Sequence, residues 1–524
     1  MPHAGLRLAK LALVAALCTA SLALAEGRVL RYASAFDPAT MDPHAIASTY
    51  NTRVLLHIFE ALTGRDENWA LEGRLALSWI AVEPRVWRFK LRPGVKFHDG
   101  TPFNADDVVF NIERGLLPTS ALKNALPNVT GARKVDELTV DILTSAPTPA
   151  LPYAITNFRL MSKAWCMRNK AEKPQDFKAK EETIAFRKAN GTGPYKLKQW
   201  DADVKTILVA NPDYWGKRGN VTEAHYLVVG SAATRLAGIV AGDIDFIPDA
   251  AIQDIERLEK TPGVKVVKGM SLAAQFLGFD QARDKLLYAD AGPRNPFKDR
   301  RVREAVRLGI DLDTLQSKVM RNLAVSGSAL YTSAIDGYDK RFDKHSPYDP
   351  KRAMALLKEA GYPDGFAVTL HCSAAQPADS VCQAVTGMLA RVGIRVSYQP
   401  VPFNNLVPKA AARDLSFYSL GWVPTTDAEG PLNTLVHTPD KPGNGEYNAG
   451  NYSNPKVDAL IERGSVEHDP AKRALLFNEA MALVDEDVGY IPLHYRRVFW
   501  TMRLNVHVKV RPNDVLDLRF VTMD

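Results

Sequence analysis

Few residues in this sequence of 524 amino acids have the types and spacing that would let them perform chemistry. Hydrolases, nucleotide-binding enzymes and metalloproteases carry patterns such as G-x-S-x-G, G-x-x-x-x-G-K-[ST], H-E-x-x-H and C-x-x-C. None of these patterns occurs in the sequence. The segment GTGPY at 191–195 lacks the third glycine of a dinucleotide-binding loop and predicts a turn before a strand. We therefore expect no catalytic residues and no cofactor.

Histidine and cysteine side chains are candidates for metal ligands or for a disulfide cross-link. His437 and His494 can bind a metal, but neither has a partner at the spacing of a ligand set, so no metal site is expected. Cys372 and Cys382 can form a disulfide in an oxidising compartment and leave Cys166 free, although spacing alone does not establish the geometry. Three buried thiols are the alternative.

The beginning of the sequence has the order of a secretory signal peptide. Arg7 and Lys10 precede an apolar run at 11–25 that ends in Ala-Leu-Ala. This run is shorter than the roughly 20 residues of a membrane-spanning helix. Cys18 raises the alternative of a lipoprotein, but a leucine precedes it where such sites have a small residue. We predict a signal peptide at 1–25 and a chain released into the periplasm.

Composition and charge are those of an ordinary globular protein, with 46% hydrophobic and 24% charged residues. The 66 Lys and Arg residues are interleaved with 59 Asp and Glu residues, which leaves a net charge of +7 without a basic tract. No nucleic-acid partner is expected, and anionic partners are permitted.

The elements that must position any site alternate between strand and helix signals, which predicts an α/β or α+β class. Short β-branched or aromatic runs predict strands at 86–91, 138–143, 205–210, 224–229 and 415–420. A capping residue followed by proline predicts helix starts at Asp349, Asn454 and Asp469, the first of them opening a helix over about 350–360. Asn104 predicts a further helix start through its capping side chain.

A β-α-β unit is predicted at 367–401, with a strand, a helix closed by Gly393, and a second strand. Such units favour two parallel strands joined by a right-handed crossover, and their ligands bind beyond the carboxyl ends of the strands. Residues near 373–378 and 401–405 are therefore candidates for function, with simple connecting loops as the alternative.

The segment FKLRPGVKFHDGTPFNADDVVFNIER at 89–114 closely resembles the signature of extracellular solute-binding protein family 5, the peptide and nickel receptors of ABC importers. Further stretches follow the order of that family, among them ATMDPH (39–44), DYWG (213–216), AGDIDF (241–246), YDPKRAMALLKEAGYPDGF (348–366) and YSNPKVDALI (452–461). The resemblance extends over nearly the whole chain after the predicted signal peptide.

The resemblance implies a two-lobed α/β fold of the large periplasmic binding protein type II class, with two crossing segments that act as a hinge between the lobes. We place the crossing segments near 272–280 and 489–497. Lobe I would comprise 26–272, with an extra subdomain around 56–185, and lobe II would comprise 273–492. The tail at 493–524 would return to lobe I.

The resemblance also implies candidate ligand contacts in the segment GWVPTTDAEG at 421–430. Peptide-binding relatives place an aspartate shortly after the Gly-Trp pair to bind the ligand's amino group, and Thr425 occupies that position here. Asp427 follows two residues later and can replace it, or the ligand lacks a free amine. Dipeptide receptors also place an arginine after the strand at 367–373, but the segment 371–380 contains no Lys or Arg. Strict dipeptide specificity is therefore not expected.

Aromatic side chains complete the set of candidate contacts. Trp422 offers a large apolar face that can stack on a peptide plane or a sugar, and Phe36 and Tyr418 are further aromatic candidates. For each of the three, a place in the hydrophobic core is the alternative.

The function implied by the resemblance is that of a periplasmic receptor, not an enzyme. It would capture a peptide or related small solute between its lobes and deliver it, as a monomer, to the permease subunits of an ABC importer. The alternatives are an exported hydrolase such as a peptidase, a receptor for a metal chelate or an oligosaccharide on the same fold, and a binding protein that serves signalling or a chaperone role without transport.

Overall fold

The computed structural model describes residues 27–524 except 178, 180, 181, 249, 425 and 442. The predicted signal peptide at 1–25 and the candidate contact Thr425 lie outside the described residues. The lobe boundaries predicted from the sequence stay a prediction. Below, lobe I denotes the described residues of 27–272 and 493–524, and lobe II denotes those of 273–492.

Strands and helices alternate along the described chain. The strands are β1 Val29–Ser34, β2 Thr63–Arg65, β3 Leu71–Gly73, β4 Ala76–Glu83, β5 Val86–Leu91, β6 Val129–Asp136, β7 Thr139–Thr144, β8 Tyr195–Asp201, β9 Lys205–Ala210, β10 Glu223–Val228, β11 Phe246–Ile247, β12 Val264–Phe279, β13 Ala289–Asp290, β14 Ala324–Val325, β15 Phe366–Ser373, β16 Ile394–Val401, β17 Phe417–Trp422, β18 Tyr490–Arg503, β19 Val506–His507 and β20 Thr522–Met523. The α-helices are α1 Thr49–Ile58, α2 Ala105–Leu116, α3 Leu151–Ala154, α4 Lys163–Arg168, α5 Ile184–Arg187, α6 Ala232–Ala241, α7 Ile255–Glu259, α8 Arg300–Leu308, α9 Leu312–Thr314, α10 Pro350–Glu359, α11 Ala378–Ala390, α12 Phe403–Ala411, α13 Glu429–Pro431, α14 Pro455–Val466 and α15 Pro470–Glu486.

One large sheet runs through both lobes, in the strand order β13-β15-β17-β12-β18-β11-β1-β10-β9-β8, with β16 paired to β15 and β14 paired to β18. Its centre is formed by the two long strands β12 and β18, which run antiparallel from Val264 opposite Arg503 to Gly278 opposite Tyr490. The ladder between them is interrupted between Met270 and Ala274. The residues 272–279 and 490–497 of the predicted crossing segments lie on these strands, and their role as a crossing between lobes stays a prediction.

Separate hydrophobic cores support the division into lobes. In lobe II, α8, α10 and α11 pack on one part of the sheet, and α14 and α15 pack near another. In lobe I, one core lies against β1, β8, β9 and β10. A further core fills the space beneath the separate four-stranded sheet β4-β5-β7-β6 and involves residues between Leu62 and Leu160. This last core lies within the range 56–185, where the extra subdomain stays a prediction.

The local signals in the sequence correspond closely to the observed elements. Asn104 caps α2 in a reciprocal capping box with Asp107, and Asp349 caps α10. The predicted β-α-β unit is confirmed, because β15 and β16 pair in parallel and α11 connects them. The predicted strands at 86–91 and 205–210 have the observed bounds of β5 and β9.

Cys372 and Cys382 form a disulfide that joins β15 to α11, with their Cα atoms 6.6 Å apart. Cys166 is a buried free thiol. The disulfide alternative is thus the one that the structure contains. Among the described residues, no helix is both long and apolar enough to span a membrane.

Candidate functional site

A cavity of about 520 Å³ lies between the two lobes. Lobe I provides most of its wall, through α1 and the loop before it, the hairpin β2-β3, the segments 121–125 and 154–159, and the tail at 511–519. Lobe II provides Val423, Pro424 and Thr426, which follow β17, and Leu272 lies on β12 where its ladder with β18 is interrupted. The volume falls within the roughly 300–1,000 Å³ that small-molecule sites have.

Helix α1 forms one side of the cavity. Its first turn is capped by the Ser48 hydroxyl, which accepts a hydrogen bond from the Tyr50 amide at 3.3 Å. One face of the helix packs into the core of lobe I, where Val54 and Ile58 are fully buried. Thr52 and Leu56, which are one turn apart, are half-buried and line the cavity. The helix therefore presents a mixed polar and apolar surface to a ligand.

Positive charge dominates the described lining of the cavity, which contains five arginines and two carboxylates. The arginines are Arg65, Arg74, Arg159, Arg511 and Arg519, and the carboxylates are Glu60 and Asp517. A buried charge is costly unless it is paired, so the partners of each group decide which of them is available to a ligand.

Glu60 is fully occupied by protein donors. It pairs with Arg74, and it accepts hydrogen bonds from Tyr214 Oη at 3.0 Å, Trp215 Nε1 at 2.8 Å and Thr192 Oγ1 at 2.9 Å. This cluster holds the wall in place, and it leaves neither Glu60 nor Arg74 free for a ligand.

Asp517 and Arg519 form a second closed pair in the tail. Arg519 donates to both carboxylate oxygens of Asp517, at 2.7–3.1 Å, and to Glu72 at 2.7 Å. Burial alone would raise the pKa of Asp517, but the attraction of Arg519 and Arg511 outweighs it and holds that pKa well below its ordinary value. Asp517 is therefore an ionised structural partner.

Arg65 connects the two lobes. Its Nη1 donates to the Asp336 carboxylate of lobe II at 2.5 Å and to the Trp69 carbonyl at 2.9 Å. The guanidinium also lies 5.2 Å from the centre of the Trp69 ring. An ion pair between lobe I and lobe II thus lies at the edge of the cavity.

Arg159 differs from these arginines because it has no acidic partner. The only hydrogen bond of its guanidinium among the described residues goes from Nη1 to the Asn157 carbonyl, at 3.1 Å, and no described carboxylate forms an ion pair with it. Burial lowers the pKa of Arg159 to about 10, and Asp517 only partly opposes this shift. The side chain remains a cation at neutral pH, half-buried and open to a negatively charged ligand.

The backbone around Arg159 is held in position by two neighbours. His44 Nε2 hydrogen-bonds to the Arg159 carbonyl at 2.8 Å, and the His44 ring stacks on Phe158 at 4.6 Å. The next amide, of Leu160, donates to the Glu60 carbonyl at 2.8 Å. The arginine therefore extends from a well-supported segment of lobe I.

The residues predicted from the sequence are partly brought together. Trp422 is half-buried directly before the cavity residues Val423 and Pro424, with its ring 5.9 Å from that of Tyr447. Its indole Nε1 has no hydrogen-bond partner among the described residues. The Gly-Trp segment thus borders the cavity, and the proposed ligand contact of Trp422 stays a prediction.

Asp427 lies beside a separate cavity of about 80 Å³ and not in the lining of the large one. Its Oδ2 accepts a hydrogen bond from Arg473 Nε at 2.7 Å, and Arg473 also pairs with Glu429. Both side chains of the Asp427–Arg473 pair are less than 10% exposed. The Asp427 carboxylate is therefore paired with an arginine of its own lobe, lobe II.

The two remaining aromatic candidates lie outside the described cavity lining. Tyr418 is fully buried in the core of lobe II, over Gly278, where an added Cβ would meet the ring at 2.2 Å. Phe36 is 57% exposed and packs against Tyr50 at 4.8 Å. For Tyr418 the structure thus corresponds to the core alternative, because the ring fills the space that a glycine leaves on the adjacent strand.

Sequence reasoning missed Arg159 and the tail residues Arg511 and Arg519. A lone arginine carries no local signal of a binding role, and the tail residues contact partners that include residues more than 400 positions away in sequence. For Arg511 and Arg519, the one indication in the sequence was the predicted return of the chain to lobe I at 493–524.

Metal binding finds no support in the described part of the chain, where no group of three or more His, Cys, Asp or Glu side chains is arranged to hold a metal ion. His437 is buried and hydrogen-bonds through Nδ1 to the Thr438 carbonyl at 2.8 Å, and His494 is buried on β18.

Two lobes with a central sheet and a cavity between them define the class of solute-binding proteins. Residues 70–443 match the family described as bacterial extracellular solute-binding proteins, family 5 Middle, and the chain belongs to this family. The family consists of binding proteins and not of enzymes, and members of this kind serve ABC importers. The family resemblance predicted from the sequence is thereby confirmed.

Individual relatives are similar over almost their whole length. The glutathione-binding protein GsiB of Pectobacterium atrosepticum is 28% identical over 497 residues, which cover 92% of this chain and 91% of that protein. Among solved structures, HbpA2 from Haemophilus parasuis has a TM-score of 0.83 at 20% identity and covers 95% of this chain and 100% of its own. The periplasmic binding protein DppA from Helicobacter pylori, solved with the peptide STSA, has a TM-score of 0.68 at 22% identity and covers 94% and 98%. These structures confirm the predicted two-lobed fold.

Proposed function

We propose that this protein is the periplasmic receptor of an ABC importer and that it captures a small solute bearing a carboxylate, with Arg159 as the anchor for that group. The receptor would work as a monomer and would present its ligand-bound form to the permease subunits. The ligand would lie in the 520 Å³ cavity, with lobe I below it and the segment after Trp422 closing over it from lobe II.

The observation that carries the proposal is the unpaired guanidinium of Arg159. Arg159 is half-buried and has no carboxylate partner among the described residues, so a ligand carboxylate that pairs with it gains a charge-assisted hydrogen bond without displacing a protein counter-ion. The other arginines of the lining contribute less, because Arg65, Arg74 and Arg519 are each paired with a carboxylate of the protein.

The ligand class is further supported by what the relatives bind. GsiB is a glutathione-binding protein, and DppA was solved with a peptide. Glutathione and short peptides both carry carboxylates. Since Asp427 is paired with Arg473, an amino-group anchor at that position does not contribute to the proposal.

The experiment is calorimetric titration of the purified protein with glutathione, with short peptides, and with the corresponding esters and amides that lack the negative charge. We expect binding of the free acids and a loss of roughly 10- to 150-fold in affinity for the neutral forms, equivalent to one charged hydrogen bond. Arg159→Gln should produce a similar loss for the free acids.

The matched control is Arg168→Gln, which removes the same charge from an exposed ion pair with Asp99 in lobe I. It should leave affinity unchanged. Equal affinity for the free acids and for their neutral forms would contradict the role of Arg159. Binding of sugars or metal chelates without binding of carboxylates would show that the proposed ligand class is wrong. An uptake assay in cells lacking the gene would test the link to an importer.

A further inference from the structure

Arg511 is a second arginine of the cavity that lacks a close acidic partner. Its Nη1 donates to the Asp66 carbonyl at 3.0 Å, and its Nη2 lies 3.5 Å from the Arg65 carbonyl. The nearest described carboxylate with which it forms an ion pair is Asp517, at 4.0 Å. The side chain is 7% exposed.

The reason for this long distance lies in the neighbouring arginine. Arg519 donates three hydrogen bonds of 2.7–3.1 Å to Asp517, so the best positions around that carboxylate are already taken. Arg511 therefore donates only to neutral backbone carbonyls and lies 4.0 Å from the Asp517 carboxylate, which Arg519 already binds. Burial is the largest effect on the pKa of Arg511 and lowers it, which is the direction expected for a cation that its surroundings compensate incompletely.

Stacking fixes the orientation of this guanidinium. It lies 5.1 Å from the centre of the Trp69 ring, and Trp69 itself lines the cavity. Arg65 lies at 5.2 Å from the same ring but is neutralised by Asp336. Of the two arginines beside this ring, Arg511 is thus the one whose nearest ion-pair partner among the described residues is as far away as 4.0 Å.

The five arginines of the described lining therefore fall into two groups. Three of them have a carboxylate within 2.7 Å, and these are Arg65, Arg74 and Arg519. Arg159 and Arg511 do not, and both line the same cavity. A ligand with a single negative group would satisfy one of them and leave the other as it is in the empty protein.

We propose that Arg159 and Arg511 form two separate anion subsites and that the ligand is a small solute with two carboxylate groups, one for each arginine. This inference rests on the proposed function and narrows its ligand class. Glutathione, with one carboxylate on its glutamyl residue and one on its glycine, is a suitable probe.

The test pairs two protein variants with three ligands. The ligands are glutathione, its glycine amide, and 4-aminobutyryl-cysteinyl-glycine, which lacks the glutamyl carboxylate. Arg159→Gln and Arg511→Gln should each weaken glutathione binding by roughly 10- to 150-fold. Each variant should show no further loss with the one analogue that lacks its partner carboxylate, and the full loss with the other.

Arg511→Lys provides a second variant if the glutamine substitution prevents folding. Lysine retains the charge but cannot form the stacked, planar arrangement, so affinity should fall less than with glutamine while the same analogue remains insensitive. Arg168→Gln serves as the control that should bind all three ligands like the unchanged protein.

The outcomes separate this inference from the proposed function. Equal loss of all three ligands in the Arg511 variants, or wild-type affinity in them, would overturn the second subsite. So would equal affinity of the unchanged protein for glutathione and for its two analogues. Failure of the protein to bind glutathione or any other carboxylate-bearing peptide would overturn both.

Discussion

Substitution of Asp427 by asparagine distinguishes a structural ion pair from a ligand anchor. Asp427 and Arg473 bury their charges with 9% and 5% of their side chains exposed, and the Nε–Oδ2 distance is 2.7 Å. Removing one partner of a buried pair costs about 3–5 kcal/mol because the other charge is left uncompensated. Here Glu429 still pairs with Arg473, so we expect a smaller loss, of about 2–3 kcal/mol in the free energy of unfolding.

The assay is urea unfolding of Asp427→Asn, followed by peptide titration of the folded variant. We expect lower stability and an unchanged preference between peptides with a free amino group and their N-acetylated forms. Asp284→Asn is the matched control, because Asp284 is 99% exposed in its ion pair with Lys298 and its loss should have no measurable effect. A variant of full stability that selectively loses free-amine peptides would refute this reasoning and restore Asp427 as a ligand contact.

Three further predictions concern the cleft, the disulfide and pH. Trp422→Ala should weaken ligand binding by more than about 1 kcal/mol while the empty protein stays folded, and unchanged affinity in titration calorimetry would exclude Trp422 from the site. Replacing Cys372 and Cys382 together by alanine should lower the free energy of unfolding by roughly 2–4 kcal/mol. Reducing agent should not change the stability of this double variant. Equal urea midpoints for the double variant and for the oxidised protein would contradict a stabilising disulfide. His494 is buried, and burial lowers its pKa to about 4. Below about pH 6.5 this histidine is therefore protonated in the unfolded chain but stays neutral in the folded protein until about pH 4. This residue should therefore lower the free energy of unfolding by about 1.4 kcal/mol for each pH unit between pH 6.5 and 4. In His494→Gln, urea unfolding across that range should show a weaker dependence of stability on pH. An identical dependence in the variant would contradict the role of His494.

Local features of the structure could be predicted because their causes are local. The capping box of Asn104 and the proline start of α10 act within a few residues, and the observed helices begin where these signals lie, while α11 ends at Ala390, shortly before Gly393. The family motifs extended this reasoning to the two-lobed fold. The segment that borders the cavity was located to within one or two positions of Trp422.

The chemistry of the cavity could not be predicted, because it depends on which charges neutralise each other across the fold. Nothing in the sequence around Arg159 distinguishes it from Arg74, and only the structure shows that Glu60 pairs with the second and not with the first. Tyr418 illustrates the same limit. Its strand position permits a core or a cleft location, and the decision comes from Gly278 on a strand that is distant in sequence.

The wall of the cavity includes parts of the chain that are separated by more than 400 residues, such as α1 and residues 511–519. A chain that has emerged from the ribosome or the export channel only as far as residue 500 has neither Arg511 nor the Asp517–Arg519 pair. Since domains generally begin to fold as they emerge, much of both lobes can form before the site exists. On the proposal that Arg159 and Arg511 bind the ligand, newly made protein would gain its affinity for solute only after nearly all of the described chain has been made.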